Sequence, residues 1–307
     1  MADRTSIVVL TCNRAPELCR TLGHLSRLPG APPIIVVDNA SRDGTSAIVR
    51  QRFPQVDLVT AETNLGAAGR NAGVARVATP YVAFCDDDTW WLPGALERAA
   101  DCLDRHPGVA AIAARILVGR ERRTDPTCGQ MARSPLASEG LPGRRLAAFM
   151  AGAVVMRADA FRAAGGYEPR LFLGAEEYLM ALDLMTLGWD IVYCPEVVIC
   201  HEPSRSRDRT RRASHLLRNR LWISWMRLPL AMALQESLRL VAEARTEGPH
   251  TGALREFATG LPWALARRRV LPPRVLEAWQ QAFRGMRASG PPEGPVDGAP
   301  GAGEARP

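Results

Sequence analysis

Short apolar runs alternate, over roughly the first 115 residues, with segments in which apolar residues recur every three or four positions. Most runs are unbroken, which is typical of strands covered on both faces of a sheet. The runs are residues 6–10, 34–37, 56–59, 81–85 and 109–114. Helix-starting signals such as Pro16 and Pro93 lie between them. The alternation predicts an α/β fold with a mostly parallel sheet, right-handed crossovers and flanking helices.

The pattern changes beyond residue 115. A polar stretch with proline and glycine at residues 119–145 predicts a long loop. A strand at 151–157, a helix at 176–187 ended by Gly188, and two short strands around Pro195 follow. Helical patterns recur to residue 286, and the remainder is rich in glycine, proline and alanine. We therefore predict a first domain at 1–212, a C-terminal helical extension at 213–286 and a disordered tail at 287–307.

Composition and charge narrow the class of protein without naming a partner. The 307 residues can bury a full core, and 39 basic residues against 32 acidic ones suit a phosphate-bearing ligand, an anionic membrane surface or nucleic acid. The sequence contains no recognisable nucleic-acid-binding module, so we expect no nucleic-acid partner. Seven cysteines without a CxxC pair predict reduced thiols. Without a signal peptide or a clean membrane-spanning run, the expected location is the cytoplasm.

Three acids, Asp86, Asp87 and Asp88, directly follow the fourth predicted strand. Adjacent carboxylates repel one another, so such a run is tolerated mainly where a cation or solvent offsets the charge. Strand ends are also where open α/β sheets hold ligands. Asp86 and Asp88 occupy alternate positions, so both can reach one divalent ion, and oxygen ligands favour Mg²⁺ or Mn²⁺. The alternative is a helix start at Pro93, because acids favour the positive end of a helix.

Polar residues at the ends of the first two strands form a second candidate site. Asp38 ends the second strand, where it can bind the sugar or base edge of a nucleotide. Thr11, Asn13 and Arg14 follow the first strand and can reach the same ligand. The glycines at 66, 69 and 73 do not form G-x-G-x-x-G and follow the third strand, which disfavours a dinucleotide-binding oxidoreductase. The absence of a P-loop motif, G-x-x-x-x-G-K-[ST], excludes a P-loop nucleoside triphosphatase.

Seven segments occur in order between residue 6 and about residue 220. They are VVLTCNR, IIVVDNASRDGT, TNLGAAGRNAG, FCDDDTWW, AGAVVMRADAFRAAGGY, GAEEYLMALDLMTLGW and VYCPEVVICHEP. In this order and at these separations they resemble the family-2 inverting glycosyltransferases of the GT-A fold. The resemblance implies an enzyme that moves a sugar from a nucleoside-diphosphate sugar to an acceptor hydroxyl, with inversion and a divalent cation, Mg²⁺ or Mn²⁺.

The resemblance also implies roles for individual residues. Asp38 would contact the nucleoside of the donor, and Asp86 and Asp88 would form the metal-binding D-x-D. The implied donor-binding set is Thr11, Asn13, Arg14, Asp38, Asn64, Gly69, Arg70, Asp86 and Asp87. His201 ends a strand at which this family commonly has a histidine. It is either a structural residue or a further ligand near the metal and the diphosphate.

The family's Glu-Asp pair, whose second member is the catalytic base, falls on Glu176-Glu177. Glu177 keeps the carboxylate on a longer side chain, which leaves open which of the two acids is the base. Neighbouring residues at a helix start point about 100° apart, so we expect only one of them to face the reacting carbon. The spacing to Gly188 matches that of the family's base and favours Glu177, with Glu176 beside it.

Three further segments have two interpretations each. The arginine-rich run at 204–212 is either a solvated loop or a lid over the donor. Trp90 and Trp91 either line an acceptor groove or belong to the core. In the extension, tryptophans beside arginines favour a helical cap on the first domain over contact with anionic lipid. These tryptophans are Trp222, Trp225, Trp263 and Trp279.

The acceptor expected from this interpretation is a sugar, a lipid-linked molecule or another small molecule, with peripheral contact at the inner face of the membrane as an open alternative. Two other functions compete with it. One is a catalytically inactive protein that binds a nucleotide sugar. The other is a sugar-phosphate nucleotidyltransferase, which would need a glycine- and lysine-rich loop where TCNRAPE stands. The oligomeric state is left open.

Overall fold

The computed structural model describes residues 4–203, 209–244 and 251–288, and in these ranges one mixed sheet of ten strands is flanked by helices. The strands are β1 (Thr5–Thr11), β2 (Ile34–Asp38), β3 (Asp57–Thr60), β4 (Tyr81–Asp86), β5 (Thr89–Trp91), β6 (Val109–Val118), β7 (Arg123–Thr124), β8 (Arg144–Arg145), β9 (Ala153–Arg157) and β10 (Asp190–His201). The helices are α1 (Ala15–Leu25), α2 (Thr45–Arg52), α3 (Gly69–Val74), α4 (Ala95–Arg105), α5 (Pro126–Ala132), α6 (Ala158–Ala163), α7 (Glu176–Thr186), α8 (Arg209–Arg227), α9 (Leu230–Ala244), α10 (Thr251–Ala266) and α11 (Pro273–Ala288). Single 3-10 turns lie at Gly66–Ala68 and Pro169–Leu171.

The sheet has the strand order β3-β2-β1-β4-β9-β6-β10-β5. The four strands from β3 to β4 are parallel, as are β6 and β10, whereas β9 runs antiparallel between β4 and β6. In this register Thr11 lies opposite Asp38, and Leu10 lies opposite Asp86. Three candidate strand ends therefore meet at one edge of the sheet. The predicted α/β fold with a mostly parallel sheet and flanking helices is confirmed.

Three elements differ from the sequence prediction because strand pairing across the sheet decides them. Residues 89–91 form β5, which folds back against the end of β10 and buries Trp91. The two short strands predicted around Pro195 form one strand, β10, with an irregularity between Cys194 and Val198. Proline has no N–H to continue the ladder, which explains the interruption. The loop predicted at 119–145 contains β7, α5 and β8.

The C-terminal helices share a hydrophobic cluster with α7, and α8, α9 and α10 form a second, smaller cluster among themselves. Trp222 and Trp279 are buried in this cluster, and Trp225 and Trp263 pack against it. The tryptophans therefore face the protein, as the cap interpretation expects. The boundary predicted at 212/213 falls inside α8, so the first domain and the extension are joined by a continuous helix.

Parts of two predictions lie outside the described residues. Of the predicted lid, residues 204–208 are outside and residues 209–212 begin α8. Of the predicted disordered tail, residues 287 and 288 end α11 and the others are outside. Among the helices that the structure describes, none combines the length and the apolar character needed to cross a membrane.

Candidate active site

The three acids after β4, which we call the aspartate wall (Asp86, Asp87 and Asp88), are held by residues from the ends of neighbouring elements. The Thr11 hydroxyl donates to Asp87 Oδ2 at 3.0 Å. Arg14 Nη1 lies 3.0 Å from Asp87 Oδ1 and 3.3 Å from Asp88 Oδ2. Asp87 and Asp88 are both buried. Their positions are thus fixed by the loop that leads from β1 into α1.

Asp86 has a different arginine partner, Arg70 of α3. Arg70 is only 4% exposed, so its charge must be offset inside the protein. Burial opposes that charge, but Asp86, with smaller contributions from Tyr167 and Glu176, outweighs it and raises the pKa of Arg70. A Cβ at Gly152, just before β9, would stand 2.5 Å from Asp86 Oδ2. Glycine at this position therefore leaves the room that the carboxylate occupies.

The aspartate wall carries more negative charge than its arginines neutralise. Burial raises the pKa of Asp87 to about 7, while Arg14 opposes the rise and Asp88 and Asp86 add to it. A carboxyl group in such surroundings favours its neutral form unless a cation approaches. The wall therefore favours positive charge beside it.

Asp88 and His201 come closest to a metal site. His201 Nε2 lies 3.5 Å from Asp88 Oδ1, and Asp86 lines the same cavity as Asp88. Within the described ranges, no three His, Cys, Asp or Glu side chains form a group that could hold a metal ion by themselves. The two carboxylates are nevertheless ligand types that Mg²⁺ or Mn²⁺ accepts. The set fits a cation that takes its other ligands from a bound phosphate or from water.

The glutamate wall, Glu176 and Glu177, opens α7. Glu176 is buried, Glu177 is half-buried, and both line the cavity. Burial raises the pKa of Glu177, Glu176 adds to the rise, and Arg212 opposes it. Both glutamates reach the cavity, while the expectation that only one of them faces the reacting carbon remains a prediction. Both are first-turn residues of α7, and they project into the cavity from the end of the helix.

The backbone that leads into the glutamate wall is strained, and side chains of α8 hold it in place. Phe172 and Ala175 have φ values of 60° and 64°, a left-handed conformation that residues other than glycine rarely adopt. Asn219 of α8, which is fully buried, donates from Nδ2 to the carbonyls of residues 171, 173 and 174 at 2.8, 3.1 and 2.6 Å. Arg218 Nη2 adds a bond of 3.0 Å to the first of these carbonyls. The extension thus fixes the loop that positions both glutamates.

The two walls meet where Gly66 approaches Phe172. The Ala67 N–H donates to the Phe172 carbonyl at 2.6 Å, and a Cβ at Gly66 would overlap that oxygen. Gly66 also has a φ of 59°, so glycine is required there for two reasons. Asn39 Nδ2 stabilises the same turn by donating to Asn64 Oδ1 at 2.9 Å and to the Gly66 carbonyl at 3.0 Å.

A cavity of about 480 Å³ lies between the walls, a size typical of small-molecule sites. Arg212 and His215 of α8 also line it, so the helical extension supplies part of its surface. The lining residues that the sequence predicted are Thr11, Arg14, Asn64, Arg70, Asp86, Asp87, Asp88, Glu176 and Glu177.

Comparison with known proteins identifies the family. The profile described as "Glycosyl transferase family 2" matches residues 6–163, about half of the chain. The chain belongs to glycosyl transferase family 2. The N-acetylglucosaminyl-diphospho-decaprenol L-rhamnosyltransferase of Mycobacterium tuberculosis is 26% identical over 284 residues, which cover 78% of this chain and 92% of that protein. The uncharacterized glycosyltransferase YwdF of Bacillus subtilis is 37% identical over 102 residues, 32% of this chain and 37% of that protein. The predicted class of enzyme, a glycosyltransferase, is confirmed.

Solved structures of other glycosyltransferases share the fold. The mannosyltransferase PcManGT from Pyrobaculum calidifontis, in complex with GDP-Man and Mn²⁺, has a TM-score of 0.52 at 20% identity, covering 93% of this chain and 81% of that one. TarS residues 1–349 from S. aureus has a TM-score of 0.60 at 18% identity, covering 92% and 89%. Identities this low show the fold alone, and they confirm the predicted GT-A fold.

Four residues that the family 2 resemblance assigned to the site are not among those that line the cavity: Asn13, Asp38, Gly69 and His201. Asp38 is buried, and its two carboxylate oxygens accept bonds from the Ser41 N–H and the Ser46 hydroxyl. Its carboxylate therefore shapes the turn after β2. Direct contact of Asp38 with a nucleoside remains a prediction.

The other three residues stand beside the cavity. Asn13 Oδ1 accepts from the Arg42 N–H at 2.7 Å, which ties together the loops after β1 and β2. A Cβ at Gly69 would lie 2.7 Å from Leu10 Cδ1, so Gly69 allows α3 to pack on β1. His201 approaches through Asp88, as described above. Their roles in donor or metal binding also remain predictions.

Several residues that line the cavity were not predicted from the sequence. For Trp90 and Trp91 the sequence left two interpretations open, an acceptor groove or the core. Gly66, Gly152 and Phe172 lie where distant segments approach closely, and His215 comes from α8, a helix assigned mostly to the extension. Arg212, which also lines the cavity, belongs to the arginine-rich run at 204–212. The neighbouring turn residue Asn39 was detectable, since it follows Asp38 directly. Trp91 is buried, and Trp90 stacks on His24 with ring centroids 4.2 Å apart. Trp91 thus belongs to the core, one of the two interpretations, whereas acceptor contact of the half-buried Trp90, which does not line the cavity, remains a prediction.

Proposed function

We propose that this family 2 glycosyltransferase transfers a sugar from a nucleoside-diphosphate sugar to an acceptor hydroxyl, with inversion and with dependence on Mg²⁺ or Mn²⁺. The observation that carries the proposal is one cavity lined by two separate acidic groups, the aspartate wall and the glutamate wall. The first group suits a cation and the diphosphate it binds. The second offers a carboxylate to an incoming hydroxyl.

The donor would lie against the aspartate wall. Asp86 and Asp88 would hold the cation, with His201 behind Asp88, and Thr11, Arg14, Asn64 and Arg70 would surround the nucleoside diphosphate. A divalent cation bound there neutralises charge that develops on the phosphates as the bond to the sugar breaks. Two structures with the same fold, PcManGT and GalNAc-T7, are complexes with Mn²⁺, which supports a divalent cation.

The glutamate wall would supply the base. An acceptor hydroxyl attacks the anomeric carbon well only when its proton can be taken up at the same time. Glu177 is the more exposed of the two glutamates, and its raised pKa makes it a stronger base once it is ionised. A single base acting during direct displacement inverts the anomeric centre, unlike the two carboxylates of a retaining hydrolase.

A lipid-linked sugar is the acceptor class that we propose. The relative from Mycobacterium tuberculosis is named for an acceptor linked through a diphosphate to decaprenol. Met150 and Leu173, two exposed apolar side chains, line the cavity of this chain and could contact the apolar part of such a molecule. A location in the cytoplasm would bring nucleotide sugars to the enzyme and also belongs to the proposal.

The test is a thermal-shift screen of nucleotide sugars with and without Mn²⁺, because a ligand that binds only the folded state raises the apparent stability. A donor that stabilises the wild type only with Mn²⁺, and Asp88→Asn not at all, supports the donor site. Release of nucleoside diphosphate on addition of acceptor then separates a transferase from an inactive binder. A nucleotidyltransferase would instead release pyrophosphate from a sugar phosphate and a nucleoside triphosphate. Equal stabilisation of the wild type and of Asp88→Asn, or release of pyrophosphate, would overturn the proposal.

A further inference from the structure

Helix α9 exposes a row of large apolar side chains, which we call the leucine ridge (Leu230, Leu234 and Leu238). These leucines are 58%, 52% and 65% exposed. A spacing of four residues places them on one face of the helix, along about 12 Å of its length. Contiguous apolar surface of this kind marks a contact site more often than a single exposed leucine does.

The polar residues of α9 make the arrangement more unusual. Glu236, which lies between the last two leucines of the ridge in sequence, is buried and forms ion pairs with Arg239 and Arg220. The helix therefore turns a carboxylate inward and leucines outward. A helix that only packs on its own domain is expected to show the reverse.

A basic turn between α10 and α11 lies beside the start of α9. Arg267 and Arg269 are exposed there, as are the apolar side chains of Leu265 and Val270. The Arg269 N–H donates to the carbonyl of residue 226 at 2.8 Å, and the residue 271 N–H donates to that of residue 227 at 2.9 Å. These bonds hold the turn against the segment that immediately precedes the ridge.

The extension carries most of the net positive charge of the chain. Residues 213–286 contain eleven arginines and five acids, a net +6 of the chain's +7. Apolar side chains flanked by arginines complement an anionic lipid surface, where the leucines enter the acyl boundary and the guanidinium groups meet phosphates.

We propose that the leucine ridge and the basic turn dock the enzyme peripherally on an anionic phospholipid surface. A convex row of leucines fits a deformable lipid boundary. Symmetric contact with a second copy would instead bring the same arginines together across the interface, which is unfavourable. Residues 289–307 include only one large apolar residue, Val296, too few to cover the ridge. Docking is independent of the chemistry of the proposed function and would hold the enzyme where a lipid-linked acceptor lies.

The experiment measures sedimentation of the full chain with vesicles, without donor or acceptor, so that its result does not depend on the proposed function. The probes are equimolar phosphatidylglycerol–phosphatidylcholine vesicles and vesicles of phosphatidylcholine alone. The wild type should bind the anionic vesicles, and Leu234→Ser with Leu238→Ser should weaken binding about tenfold or more. Leu187→Ser, at a leucine 52% exposed just after α7, is the matched control and should bind as the wild type does.

Charge and self-association are tested separately. Arg267→Gln with Arg269→Gln should weaken binding and reduce its dependence on salt. Wild-type binding that is absent, or equal with both kinds of vesicle, would overturn the proposal, as would a double leucine variant that binds normally. Light scattering that shows a wild-type dimer, converted to monomer by the leucine substitutions, would also overturn it and assign the ridge to a second copy.

Discussion

The two acidic walls of the cavity are built in different ways. The aspartate wall consists of consecutive residues at a strand end, and each of its acids pairs with an arginine, Arg14 or Arg70. The glutamate wall follows a left-handed backbone at Ala175. Within the described residues, Glu176 Oε2 is buried and makes no hydrogen bond. Arginines thus offset part of the negative charge of the first wall, whereas the second wall opens a helix directly after a strained turn.

The supports differ as well. Hydrogen-bond ladders to β1 and β9 fix the strand that carries the aspartates. The loop before α7 has no such ladder, and Asn219 of α8 supplies three hydrogen bonds instead. Substitutions that remove the support from α8 should therefore lower kcat more than donor affinity. Substitutions near the aspartates should lower donor affinity more than kcat.

The largest effect is expected from Glu177→Gln, which keeps the size of the side chain but cannot accept a proton. The variant should lower kcat by about 10²–10⁴ and leave donor affinity nearly unchanged, as for an interaction made only in the transition state. Steady-state kinetics and a donor titration together measure both quantities.

Glu176→Gln is the matched control for that prediction. It removes the charge that contributes to the raised pKa of Glu177, so the pKa should fall and the acidic limb of the pH–rate profile should move to lower pH. A full loss of kcat in Glu176→Gln, with an active Glu177→Gln, would show that the base is Glu176.

Asn219→Leu tests the support of the glutamate wall. The carbonyls of residues 173 and 174 lose their side-chain donor, while that of residue 171 keeps its bond from Arg218. The loss should cost about 1–3 kcal/mol of stability and lower kcat about tenfold through displaced glutamates. Nucleoside-diphosphate affinity should not change. The control is Ser237→Ala, which removes the 3.0 Å bond from the Trp225 indole and should lower stability without lowering kcat. Equal kinetic losses in both variants would assign Asn219 to stability alone.

Gly152→Ala tests the aspartate wall. The new Cβ would stand 2.5 Å from Asp86 Oδ2, so the carboxylate must move. Affinity for nucleoside diphosphate with Mn²⁺ should fall several-fold, up to about tenfold, while kcat changes less. Gly108→Ala is a suitable control, since its Cβ would meet no atom within 4 Å. If calorimetric titration gives the same nucleoside-diphosphate affinity for Gly152→Ala and Gly108→Ala, Asp86 does not contribute to donor binding.

The last prediction concerns stability alone, as a dependence on pH. The raised pKa of Asp87, about 7, means that the folded state keeps its proton at pH values where the unfolded chain has lost it. Stability should therefore fall as the pH rises from the unfolded value toward 7, by at most about 1.4 kcal/mol per pH unit. Chemical unfolding in EDTA measures this slope, and Asp87→Asn should flatten it. An unchanged slope would mean that Asp87 titrates normally.

Much of the site was predictable where its residues are consecutive or end parallel strands. The acids from Asp86 to Asp88, together with Thr11 and Arg14, line the cavity as expected, because the ends of adjacent parallel strands meet at one sheet edge. Prediction failed where contacts join distant segments. No local pattern shows that Gly66 passes beside Phe172 or that Gly152 makes room for Asp86.

The sequence by itself determined the α/β class, the positions of the first strands along the chain and the two acidic groups. Hydrophobic periodicity and short motifs encode those features locally. The tertiary structure decided that both glutamates face the cavity, that α8 supplies Arg212 and His215, and that the tryptophans of the extension point inward while leucines of α9 point outward. The reason is physical. Which face of a helix is covered, and which loop it holds, depends on neighbours that the chain brings together only when it folds.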